Sequence, residues 1–186
     1  MRWLVLLSML VGSAAFAQEP ADASAGPERR TASDYVQKLQ AGLTALAAGD
    51  TAGATATFRE AIALEPEEAA GHCHLGSALR RAEDTAAALE SFRACARLGR
   101  QRSDALSEGR GLLGVAQLLV LDPTQRAAAR DAVTALMRFA ETHPAVYPLE
   151  LAQHLQQTLD SIIELDAVSA EVRQRREARA AQQASE

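Results

Sequence analysis

The chain has 186 residues, 48% of them hydrophobic and 23% charged, which is enough apolar side chain for a packed core and too little charge for a disordered chain. Aromatic residues are only 4%, alanine recurs throughout and β-branched runs are absent, which excludes a β-sandwich or barrel and favours packed helices. The formal net charge of −5 excludes a nucleic-acid binder, because neutralising phosphates requires a basic face.

The first element is an address. Met1 and Arg2 give a positive start, Trp3 to Val11 form an apolar run, and Ala15-Phe16-Ala17 ends it with a small-residue cleavage pattern. The run is too short for a permanent membrane helix, which needs roughly 20 apolar residues. Residues 1–17 therefore read as a signal peptide of bacterial style, with a mature chain that begins near Gln18, is periplasmic or secreted, and inserts in no membrane. No cysteine stands at the cleavage point to carry a lipid. Residues 18–32 are rich in Pro, Ala, Gly and charge, and read as a disordered leader.

The next elements repeat. Residues 41–64 laid over residues 75–98, a shift of 34, agree at nine of 24 positions. The identical pairs include Gly42/Gly76, Asp50/Asp84, Ala54/Ala88, Phe58/Phe92 and Leu64/Leu98. That period is the length of a helix–turn–helix unit that buries its apolar face only against neighbours. Each residue type has a task. The glycines allow close approach of a neighbouring helix, and the Asp-Thr pairs offer oxygens to the free N–H groups opening a helix. The alanines contact the first helix, and the phenylalanines fall four residues later on the same face. Pro66 stops the second helix.

The Leu75-Gly76, Ala88, Phe92 spacing and the stretch GDTAGATATFREAIALEP resemble the tetratricopeptide repeat family over roughly residues 34–100. The resemblance implies an all-α, right-handed α-solenoid of stacked hairpins with a concave groove for a peptide or protein. The repeats are expected over residues 33–146, with the third unit degenerate. Ser103 is expected to cap a helix to about Leu121, and Asp122-Pro123 to open the next, which ends at Pro144. Between Leu113-Gly114 and Ala132 the chain is six residues longer than the repeat allows. Pro148 opens a capping helix over residues 147–180, with Ala152, Leu155, Leu159, Ile162, Ile163 and Val172 as its apolar stripe. Residues 181–186 are expected to fray.

Chemistry-bearing residues are few. Cys73 and Cys95 fall at the same end of one hairpin, and a bridge between them would contribute about 3 kcal/mol in the chain-entropy model. The alternative makes Cys95 a small buried residue, as Ala61 is in repeat one, with Cys73 facing the groove. His72-Cys73-His74 has poor geometry for a metal, because neighbours on a helix point about 100° apart. No nucleophile elbow, zinc-protease motif, phosphate loop, dinucleotide fingerprint or haem attachment site occurs, so neither enzymatic activity nor a cofactor is expected.

The groove candidates are Leu39, Leu43, Cys73, Ser77, Arg80 and Arg81. The two arginines could receive an acidic peptide or carboxylate, or could form a solvated helix end. Val36, Leu39, Leu43 and Leu46 form an apolar stripe that either faces the groove or is hidden by rotation of its helix. Arg173, Arg175, Arg176 and Arg179 read as a solvated helix face. The expected function is a non-enzymatic interaction module. The alternatives are a self-associating structural protein, with a possible homo-oligomer, or a redox-responsive module working through Cys73 and Cys95.

Overall fold

The computed structural model describes residues 27–183, so the signal-like segment 1–17, most of the expected leader and residues 184–186 lie outside the described residues. Seven α-helices follow in order: α1 (Pro27–Ala47), α2 (Thr51–Leu64), α3 (Ala69–Arg81), α4 (Thr85–Gln101), α5 (Ala105–Leu121), α6 (Arg126–Thr142) and α7 (Leu149–Gln183). A short 3-10 turn, Pro123–Gln125, leads into α6. Among the described residues there is no strand, and adjacent helices pack as hairpins. None of these helices is long and apolar enough to cross a membrane.

Three of the connections are the same turn built three times. Asp50, Asp84 and Asp104 each accept a hydrogen bond from the N–H three residues on, at Gly53, Ala87 and Ser107. The residue before each aspartate takes a positive φ: Gly49 at 83°, Glu83 at 62° and Ser103 at 57°. The aspartate N–H then reaches back five residues, to the carbonyls of Ala45, Leu79 and Gly99. A left-handed residue thus closes one helix while the aspartate opens the next. The cap of α5 is therefore Asp104, not Ser103, which serves instead as the left-handed turn residue.

Close approach is set by glycine facing phenylalanine. A β-carbon on Gly42 would lie 2.5 Å from the Phe58 ring, and one on Gly76 would lie 2.9 Å from the Phe92 ring. A β-carbon on Gly114 of α5 would also meet the Phe92 ring. Phe58 and Ala54 are fully buried, as is Ala88. Tyr35 closes the first junction, its hydroxyl accepting the Gly71 N–H at 3.0 Å. The core has two parts. One is built on Phe58, Phe92, Leu75 and Leu79, and the other on Leu119, Val133, Leu136, Phe139 and Leu159; Leu89 and Val115 touch both.

Two expectations, the start of α1 and the end of α7, need correction, and the degenerate third unit has a physical reason. The helix α1 begins at Pro27, inside the expected leader, because proline needs no N–H partner at a first helical position. The third unit departs from the 34-residue period because α4 is longer than α2. The starts of α2 and α3 are 18 residues apart, whereas those of α4 and α5 are 20 apart. Within the α5–α6 hairpin Gly109 meets Phe139. Finally, α7 continues to Gln183 without ending near residue 180, and Val172 is 44% exposed instead of packed. An ion pair from Arg126 to Asp166, 2.8 Å long, ties α7 to the body. From Ala167 to Gln183 every residue except Ala170 is exposed.

Candidate functional site

Helix period brings two rows of side chains face to face. Cys73, His74, Ser77 and Arg80 lie along one side of α3, and Arg110, Leu113, Gly114 and Gln117 lie along α5. Between them is a cleft of about 260 Å³, closed by Phe92 of α4. That volume is below the roughly 300 Å³ at which small-molecule sites begin, so it suits one side chain or chain end of a larger partner.

The cleft is positively charged around a neutral centre. Arg80 Nη1 donates to Gln117 Oε1 at 2.5 Å, and its guanidinium lies 6.0 Å from the Phe92 ring centre. Gln117 therefore holds Arg80 across the two helices. Arg110 has no hydrogen-bond or ion-pair partner among the described residues. His74 stacks on Phe58 with ring centres 5.5 Å apart. Burial, and secondarily the charge of Arg110, push its pKa below the ordinary 6.5, so the imidazole is neutral at pH 7. A carboxylate entering the cleft would meet planar guanidinium donors, at least one of them unengaged.

Of the groove candidates named from sequence, Cys73, Ser77 and Arg80 line this cleft. The Ser77 hydroxyl donates to the Cys73 carbonyl at 3.1 Å, which leaves its oxygen as an acceptor. Arg81 does not belong to the site. Its Nη1 donates to the Leu46 carbonyl at 3.1 Å, at the C-terminal end of α1, where a cation offsets the unpaired carbonyls. Leu39 is half-buried against the first core, and Leu43 is 42% exposed, so neither is brought to the cleft. The apolar stripe of α1 is divided rather than hidden: Leu46 is 8% exposed and Val36 49%.

Cys73 and Cys95 form a disulfide across a separation of 22 residues, with both cysteines buried. The bridge joins α3 to α4, and the Cys95 sulfur lies 3.0 Å from the Ser107 carbonyl oxygen of α5. That is a contact and not a hydrogen bond, because bridged sulfurs carry no proton. His72 Nε2 lies 3.1 Å from the Pro66 carbonyl, whereas His74 turns to Phe58, so the two histidines diverge. Among the described residues no three His, Cys, Asp or Glu side chains gather as metal ligands.

Sequence reasoning missed Arg110, Leu113 and Gln117. The signal was present, since Arg110 lies 36 residues beyond His74, but the strict shift of 34 pairs it with Gly76. The longer α4 supplies the two extra residues. No family model, curated protein or solved structure matches the chain.

Proposed function

We propose that this chain is an exported, non-enzymatic interaction module of tetratricopeptide type. It holds an acidic side chain or chain end of a protein partner in the α3–α5 cleft. The observation that carries the reading is the convergence of Arg80 and Arg110 on one small cleft, Arg110 making no hydrogen bond or close ion pair among the described residues. In this reading the hairpins stack as a right-handed superhelix, and α3 and α5 face its groove. The glycine–phenylalanine contacts at Gly42/Phe58 and Gly76/Phe92 support the repeat assignment. The buried disulfide supports export, because such bonds persist in oxidising compartments.

Fluorescence anisotropy with acidic, neutral and basic peptide pools tests it. The acidic pool binds, and Arg110→Glu weakens it by about tenfold or more, the cost of reversing one charge in a partly desolvated site. Arg81→Glu leaves affinity within about twofold, as expected for a residue outside the cleft. Equal binding of all three pools, or indifference to Arg110→Glu, overturns the reading.

A further inference from the structure

The exposed end of α7 has one chemically distinct face. Leu165, Val168 and Val172 are 66%, 53% and 44% exposed, at helical spacings of three and four. The same face continues into Arg175, Arg176 and Arg179. From Ala167 to Gln183 the helix extends about 25 Å past its last ion pair with the body. The arm, residues 167–183, carries four arginines and two glutamates, a formal +2, with Glu171 paired to Arg175, whereas residues 27–166 carry a formal −5.

A matching surface lies at the other end of the same helix. Leu118, Leu121, Leu155 and Thr158 line an apolar cleft of about 450 Å³, with Glu83 on its rim. Leu121 is 76% exposed. Arg80 also borders this cleft, but its guanidinium is held by Gln117 and Phe92. Thr158 is seven residues before Leu165, so cleft wall and exposed face run on along one side of α7.

We propose that the end of α7 is a dimerisation arm, whose Leu165–Val168–Val172 face docks in the Leu118–Leu121–Leu155 cleft of a second copy. The arm cannot fill its own cleft, because Leu155 and the arm belong to one continuous helix. Charge selects the partner: an arm of net +2 finds a body of net −5 on another molecule of the same chain. Each copy offers both arm and cleft, so in this proposal two copies exchange arms about a two-fold axis, which closes the contact as a dimer.

Sedimentation equilibrium of the chain as the producing cell releases it tests this. The expected result is a monomer–dimer equilibrium that weakens with salt. A variant with Leu165→Glu, Val168→Glu and Val172→Glu sediments as a monomer with unchanged helical circular dichroism. Leu121→Glu does the same from the cleft side. Arg175→Glu with Arg176→Glu and Arg179→Glu weakens association by about tenfold or more. A wild-type monomer at the highest attainable concentration overturns the proposal. So does a dimer that survives the arm variant, or one that is indifferent to Leu121→Glu.

Discussion

Glu83 occupies a backbone conformation that suits glycine. Its φ of 62° matches the place that Gly49 holds in the first hairpin. A left-handed residue with a β-carbon costs roughly 1 kcal/mol, part of which glycine recovers at the expense of a freer unfolded chain. Glu83→Gly is expected to raise stability by about 0.5 kcal/mol in urea unfolding. Gly114→Ala has the opposite sign. Its β-carbon would collide with the Phe92 ring, which Gly76 also approaches closely, and overpacking of this kind costs about 1–3 kcal/mol. At this scale the sequence was partly legible. Asp50 and Asp84 were readable as caps, and Gly42 and Gly76 as points of close approach. Arg81 was not readable, because only tertiary packing places the Leu46 carbonyl within its reach.

Among the elements, α3 and α4 carry the covalent constraint. Sequence placed Cys73 and Cys95 at one end of a hairpin but left open whether they bridge, since Ala61 fills the equivalent place in repeat one. The structure joins them. With exposures of 3% and 0%, the sulfurs are shielded from a dithiol reductant in the folded state. Reduction in the folded state is therefore expected to be slow, and the bridge is expected to act as a staple. Cys73→Ser with Cys95→Ala is expected to lose about 3 kcal/mol, read from urea midpoints at constant slope. Helix length is the other lesson at this scale. The α4 segment runs 17 residues against 14 in α2, with no cap or proline to signal the difference. That is why the 34-residue period located repeat two and misplaced the register of α5. The stripe on α7 failed at Val172 for a related reason: periodicity reports a face but not where its partner ends.

Taken whole, the molecule is all-α, its helical hairpins were legible, and half of the lining of its candidate cleft was legible. Composition and a repeated Gly–Asp–Ala–Phe pattern sufficed for the helical hairpins. The cleft needed both α3 and α5, and only the α3 row, with Ser77 and Arg80, could be read from the repeat. The cleft also has a built-in pH dependence. His74 is held neutral by burial and by Arg110, with its pKa below 6.5 in the unliganded protein. Arg110 faces it from α5 and opposes its protonation, while a bound carboxylate would favour it. Ligand binding therefore raises the His74 pKa, and affinity must rise as pH falls through the region below 6.5.

The most direct measurement is the anisotropy titration of an acidic peptide between pH 7.5 and pH 5.5, for the wild type, Arg110→Glu and His74→Gln. Binding that tightens toward pH 5.5 in the wild type, flattens in His74→Gln and collapses in Arg110→Glu is the expected result. Affinity that ignores pH and both substitutions would place the partner somewhere other than the α3–α5 cleft.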